Sequence, residues 1–236
     1  MKSFALLIDP DKFEEADCQK LTEVAAFDKA DWVFVGGSLI NGSSIHLTIQ
    51  RIKQHSTLPV IIFPGSNMHM DSSADGILFL SLISGRNPEF LIGQHIVAAP
   101  FLKRSRLEVL PTGYMLIEGG KATTVSYISN TTPIPHDKPE VAACTAMAGE
   151  MLGLKLIYAD AGSGAEKPIS SKMVSLLRKS IDVPLIVGGG IRSGEKAAEI
   201  LLAGADIVVV GNGVEANPHL IDEIYNQIGR INQSAT

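Results

Sequence analysis

Eight short apolar runs, spaced along the whole chain and separated by helix-like stretches, constrain the fold more than any other feature of this sequence. They lie at 3–9, 32–36, 59–63, 77–82, 113–118, 154–160, 184–188 and 206–210. Each is almost continuously apolar, as parallel strands covered on both faces are. Helical periodicity falls at 14–26, 43–55, 88–104, 138–152, 169–180, 193–203 and 217–231, with Ser193 placed as an N-cap. Eight strands alternating with helices in 236 residues predict one α/β domain over 1–236, a (β/α)₈ TIM-type barrel. A doubly wound open sheet has the same composition. The glycines that end runs seven and eight favour the barrel.

Two connections depart from this rhythm. The stretch "PGSNMHMDSSAD" at 64–75 has no helical period, so the ring is expected to lack its third helix. The stretch "GGKATTVSYISNTTPIPH" at 119–136 far exceeds the usual loop of about two to six residues. It predicts a mobile cover over one end of the barrel, since long loops are often binding loops.

A formal charge of −5 without any Lys/Arg-rich block argues against a nucleic-acid partner. Cys18 and Cys144 match no metal or disulfide spacing, which suits a reducing compartment. The opening "MKSFALLIDPDK" holds too few apolar residues for a signal-peptide core. Gly, Pro or charge interrupts every apolar stretch before it could span a bilayer. A cytoplasmic protein with no membrane segment is the expectation.

Function is read at the strand ends, because barrel chemistry gathers at the C-terminal face and phosphate often sits after strands seven and eight. Run seven continues into Gly189 and Gly190, and run eight into Gly211 and Asn212. Bare backbone lets amide donors approach phosphate oxygens, and a helix start adds positive potential. Tight strand-to-helix turning would need fewer glycines. Run six ends in "YADAGSG", where Asp160 carries a carboxylate close to the predicted anion pocket. A carboxylate there repels phosphate, so it suggests gripping or deprotonating a hydroxyl, although a loop cap is the plainer use. Run one ends in "LIDPDK" and run two in "VGGSL", bringing Asp9 and Ser38 to adjacent positions of the barrel mouth. One carboxylate and one hydroxyl make a sparse Mg²⁺ site that substrate phosphates would complete. Asp9-Pro10-Asp11 is also ordinary turn chemistry.

Taken together, "LIDPDK", "VGGS", "YADAGSG", "VGGGIRS" and "VVVGN" resemble the geranylgeranylglyceryl phosphate synthase family, which includes the heptaprenylglyceryl phosphate synthases. The segment "LFLSLISGRNPEFLIGQH" at 78–95 is similar to the family's stretch after strand four. The resemblance implies a barrel without its third helix. It implies transfer of a polyprenyl group, geranylgeranyl favoured, from its diphosphate to the C3 hydroxyl of sn-glycerol 1-phosphate. By the same resemblance, Asp9 and Ser38 hold Mg²⁺ against the diphosphate. Tyr158, Ala159, Asp160, Ala161, Gly162, Ser163, Gly164, Gly189, Gly190, Gly211 and Asn212 hold glycerol phosphate, with Asp160 taking the hydroxyl proton.

Two residues depart from the family's pattern. Asp160 stands where the family usually has Glu, and Leu7 stands where one branch has a phosphate-binding Lys. Leu7 resembles the second, often more oligomeric branch, and leaves Lys12 as a possible phosphate contact. The apolar excess in 88–104 reads as a prenyl track or as a contact between copies in a dimer or hexamer. A sugar-phosphate isomerase, an aldolase or a flavin-mononucleotide barrel would use the same phosphate site. A Schiff-base aldolase needs a lysine inside the C-terminal mouth, and Lys155 begins strand six at the opposite end.

Overall fold

The computed structural model describes residues 1–41 and 44–234. Eight parallel strands close on themselves in chain order: β1 (Ser3–Ile8), β2 (Trp32–Gly37), β3 (Val60–Pro64), β4 (Gly76–Leu82), β5 (Glu108–Leu116), β6 (Leu156–Asp160), β7 (Leu185–Gly188) and β8 (Ile207–Val210). Pairing of β1 with β8, Ala5 opposite Val209, completes the ring. Successive residues point to opposite faces. Ala5, Phe34, Ile61, Leu78, Leu116, Tyr158, Ile186 and Val209 therefore fill the interior. Leu6, Val33, Val35, Ile62, Met115 and Ile157 pack outward beneath the helices.

All eight predicted strands are present, with one substantial shift. β5 starts at Glu108 rather than 113, and its whole length pairs with β4 from Gly76↔Glu108 to Leu82↔Tyr114. Exposed Glu108 and Val109, followed by Pro111, hid this start, since proline within a run argues against a strand.

The helices are α1 (Glu15–Glu23), α2 (Ala26–Lys29), α3 (Ile45–His55), α4 (Gln94–Arg104), α5 (Thr124–Ser129), α6 (Pro139–Met151), α7 (Ser171–Ser180), α8 (Gly194–Ala203), α9 (Asn212–Ala216) and α10 (Leu220–Ser234). Ser193 caps α8 as expected, its side chain accepting from the Lys196 amide. The first predicted helix is broken, because Ala25 takes a left-handed φ of 52° between α1 and α2. The segment at 88–104 opens with a π turn at Glu89–Gly93 before α4 begins. The last predicted helix starts later than 217, since Asn217 and Pro218 separate α9 from α10. The expected start of α3 at position 43 falls outside the described residues.

No helix follows β3. The chain instead turns back under a short polar knot in which Asp75 accepts the Val60 amide at 2.8 Å. The strands stay paired there, Ile61 opposite Gly76, so the gap lies in the outer helical layer between β3 and β4. The cover expected at 119–136 contains a short helix that the sequence reading did not place, α5. Thr123 and Ser126 form a reciprocal capping box at its start, and Asn130 closes it at φ 50°. An isolated bridge between Ile117 and Ile134 ties the cover back to β5. No helix among the described residues is long and apolar enough to cross a membrane.

Candidate functional site

The strand-end motifs converge. Asp9, Ser38, Tyr158, Asp160, Gly162, Ser163, Gly164, Gly189, Gly190, Gly211 and Asn212 all line one polar cavity of about 370 Å³ at the C-terminal mouth. Ala159 and Ala161 do not. Both are fully buried in the outer core, as the alternation of β6 requires for Ala159.

The glycine arc is built for an anion. Gly189 and Gly190 take φ values of 85° and 71°, open to glycine at little cost, and turn their peptide units around the cavity floor. A Cβ on Gly190 would stand 2.9 Å from the Pro168 nitrogen. Among the described residues, the amides of Gly190 and Asn212 have no carbonyl partner, which leaves them available to an anion. The start of α8 is not part of this arc, because the Gly194 amide is taken by Glu223 at 2.9 Å. Asn212 Oδ1 accepts from Ser163 Oγ at 3.0 Å and from the Gly164 amide at 3.1 Å, tying the β6 and β8 loops together.

Asp160 is buried beneath that arc. Its Oδ2 accepts from the Tyr114 hydroxyl at 2.7 Å, and its Oδ1 from the Gly162 amide at 2.8 Å. Burial pushes the carboxyl above its ordinary range, although both hydrogen bonds pull the other way. Tyr158 lies against Phe63 at 5.5 Å and Tyr114 at 5.5 Å, an aromatic wall on one side of the cavity.

At the end of β1, beside β8, Asp9 Oδ1 caps the short turn by accepting from the Asp11 amide at 3.1 Å. Its Oδ2 lies 3.3 Å from Lys12 Nζ, which also reaches Glu215 at 3.6 Å. Partial burial works against the Lys12 charge, but Glu215 and Asp9 outweigh it and raise the pKa. Lys12 is thus already committed to two carboxylates.

A second, apolar cavity of about 100 Å³ adjoins the first where the third helix is missing. Phe79, Leu80, Phe90, His95, Ala98 and Ile128 line it, and it shares Gly37, Ser38, Phe63, Tyr114 and Val125 with the polar cavity. The apolar excess in 88–104 therefore divides between two faces. Phe90, His95 and Ala98 face the cavity, while Ile92, Ile96 and Val97 are 58%, 66% and 64% exposed. His95 sits edge-on to Phe79 at 4.3 Å, and burial lowers its pKa, so the imidazole is neutral in this wall.

Sequence reasoning missed Arg192, Tyr114, Phe63, Thr124 and Glu215, which also line the polar cavity. Arg192 stood within the quoted "VGGGIRS", and a cation beside an anion site was the available signal. Thr124 carried one too, in the Thr123/Ser126 cap. Phe63 and Tyr114 looked like ordinary strand residues.

Fold and site define a TIM-type barrel in which a glycine-lined anion pocket opens into an apolar groove. A profile of the PcrB family matches residues 1–229. The chain is similar to the geranylgeranylglyceryl phosphate synthase of Spirosoma linguale, 57% identical over 99% of this chain and 94% of the relative. It is likewise similar to the enzyme of that name from Chitinophaga pinensis, 53% identical over 97% of this chain and 90% of the relative. Among solved structures it resembles (S)-3-O-geranylgeranylglyceryl phosphate synthase from Thermoplasma acidophilum in complex with sn-glycerol-1-phosphate. That match has a TM-score of 0.89 and 33% identity, covering 96% of this chain and 93% of the other. The chain belongs to the PcrB family and, with these relatives, to the geranylgeranylglyceryl phosphate synthases, which are prenyltransferases.

Proposed function

We propose that the protein joins a polyprenyl group, geranylgeranyl by the names of its relatives, to the C3 hydroxyl of sn-glycerol 1-phosphate, with Mg²⁺ as cofactor. The observation that carries this reading is the junction of the two cavities at Ser38, Phe63 and Tyr114, with Asp160 beside it. The apolar lining of the groove suits a lipid tail, the glycine arc suits a phosphate ester, and the reacting ends would meet between them.

Each residue then has a task. The amides of Gly190 and Asn212, the Gly162–Gly164 loop and the Gly211 turn hold the glycerol phosphate, with Arg192 as the nearby cation. Held there, the C3 hydroxyl presents its proton to Asp160. The elevated pKa of this buried carboxylate suits a group that must accept a proton near neutral pH. The C1–oxygen bond of the allylic diphosphate breaks, the new ether bond forms at that carbon, and diphosphate leaves. The groove wall excludes water, which would otherwise capture the allylic carbon.

Asp9 and Ser38 form the metal end. Among the described residues no group of three or more His, Cys, Asp or Glu converges on a metal position. The one carboxylate and one hydroxyl that line the cavity here, Asp9 and Ser38, are hard oxygen donors of the kind Mg²⁺ takes, with waters and the oxygens of the diphosphate to complete its shell. Bound Mg²⁺ neutralises the leaving diphosphate. Lys12 pairs with Asp9 at this end and would add positive charge near the diphosphate.

A single domain spanning 1–236, a cytoplasmic location and a homo-oligomer complete the reading. The exposed Ile92, Ile96 and Val97 support the last, since a monomer rarely leaves such a stripe open. Lys12 lines the polar cavity but is half-exposed, and Lys155 precedes β6 at the far end, so neither favours a Schiff-base aldolase.

The test incubates the protein with labelled sn-glycerol 1-phosphate and prenyl diphosphates of several lengths, with Mg²⁺ and with a chelator. Label should pass into the lipid phase with Mg²⁺ present, most strongly with geranylgeranyl diphosphate. Absence of lipid-soluble label at every chain length overturns the reading.

A further inference from the structure

Tyr114 lies far from Asp160 in sequence, yet barrel closure brings their side chains together. The parallel register sets Tyr114 opposite Tyr158 and Leu116 opposite Asp160. Tyr114, Tyr158 and Asp160 consequently share the inward face and the C-terminal end of adjacent strands. The Tyr114 ring is packed by Phe63 at 6.0 Å and by Tyr158 at 5.5 Å, which fixes where its hydroxyl points.

We propose that Tyr114 is the positioning residue of the reaction, holding the Asp160 carboxylate in the orientation that accepts the glycerol hydroxyl proton. The inference rests on the reading of Asp160 as proton acceptor. Two donors, Tyr114 Oη at 2.7 Å and the Gly162 amide at 2.8 Å, take one lone pair from each carboxylate oxygen. Together they fix the carboxylate plane and leave the remaining lone pairs free for the substrate. Tyr158, although adjacent, makes no hydrogen bond to Asp160 among the described residues, so the task falls to Tyr114 alone.

The phenol is a dependable donor. Burial, and then the neighbouring Asp160 charge, raise its pKa well above the ordinary value, so it keeps its proton wherever the enzyme works. Its bond favours the ionised carboxylate against the opposing effect of burial. The other groups around the cavity are the Tyr158 phenol on the same strand, Arg192 beyond the neighbouring β7, and Asp9, Asp11, Lys12 and Glu215 after β1 and β8. None of these supplies a direct hydrogen bond to the carboxylate.

The experiment compares Tyr114→Phe with the full-length protein in the pH dependence of kcat at saturating substrates. A parallel carbon-13 titration of the Asp160 carboxyl follows the ligand-free protein. Loss of a hydrogen bond to a charged group should lower kcat by about 10- to 100-fold. The acid limb of the profile and the carboxyl titration should both move to higher pH. Incorporation of 3-fluorotyrosine at position 114 keeps the packing and strengthens the donor, so both should move to lower pH. This second substitution decides the matter should Tyr114→Phe fold poorly. A drop in kcat with both titrations unmoved would mean that Tyr114 is only a packing residue, and would overturn the proposal. If Asp160→Asn is inactive while both Tyr114 substitutions leave rate and titrations unchanged, the positioning role alone falls. Full activity in Asp160→Asn removes the proton-acceptor reading beneath it.

Discussion

Replacing Asp160 separates its chemistry from its place in the fold. Asn has nearly the same shape, and its oxygen can keep the Gly162 amide that now lies 2.8 Å from Oδ1. Its amide nitrogen would face the Tyr114 hydroxyl at the present 2.7 Å, and a phenol can turn from donor to acceptor. The network survives with its polarity reversed, so Asp160→Asn should fold. Its stability has a defined sign. Burial raises the folded pKa of Asp160 above the unfolded value. The stability this group contributes is fully present below the unfolded pKa and is lost as pH rises through the folded one. Above that folded pKa the wild type bears an ionised buried carboxylate that Asn does not. Tm of Asp160→Asn should equal or exceed wild type at neutral pH, with the gap closing toward about pH 4, the ordinary carboxyl range.

Activity should move the other way. Removing a general base costs about 10²–10⁴ in kcat, so a more stable protein should be far slower. Asp160→Glu tests the geometry itself. The β6 and β7 loops have closed on the shorter side chain: a Cβ on Gly189 would already stand 2.8 Å from Asp160 Oδ1 and 2.8 Å from the Gly162 nitrogen. With the Tyr114 and Gly162 donors held where they are, an added methylene displaces the carboxylate from them by about 1 Å, a misplacement worth about 10² in rate. Steady-state kinetics at saturating Mg²⁺ and both substrates, repeated across pH, measure all three quantities. Wild-type kcat in Asp160→Asn would refute the proton-acceptor role. Wild-type kcat in Asp160→Glu would refute the closed-loop argument, even though Glu is the residue the family resemblance leads one to expect.

Asp9→Asn should weaken Mg²⁺ and diphosphate binding more than glycerol phosphate binding, since Asp9 follows β1, next to β8 but two strands away from the Gly189–Gly190 turn after β7; calorimetric titration that found equal losses for both ligands would contradict this division. Gly190→Ala forces a side chain into a φ of 71° and against Pro168, so it should cost about 1–2 kcal/mol of stability and raise KM for glycerol phosphate; thermal melts and kinetics check both. Light scattering should find a species larger than the 25.1 kDa chain, and Ile96→Glu should reduce its size. A wild-type protein scattering at the chain mass alone would leave the exposed α4 stripe without that explanation.

What the sequence revealed and what it concealed follow from how far each signal reaches along the chain. The strands were legible because burial on both faces demands continuous apolar runs, a requirement satisfied within a few residues. The anion arc was legible because Gly189 and Gly190 adopt left-handed backbone that local sequence must permit. α5 hid because its six residues are too few to develop a period, and only its cap at Thr123 and Ser126 announced it. Tyr114 hid for a deeper reason. Nothing within β5 distinguishes a tyrosine that packs from one that holds a carboxylate. Its function is fixed by register, which sets it opposite Tyr158 and two residues short of Leu116, the partner of Asp160. Phe63 and Tyr114 both belong to the barrel interior, with their rings 6.0 Å apart, so the groove and the anion pocket share them. Site residues whose roles come from backbone conformation can thus be read before folding, whereas those whose roles come from a neighbouring strand acquire them only when the ring closes.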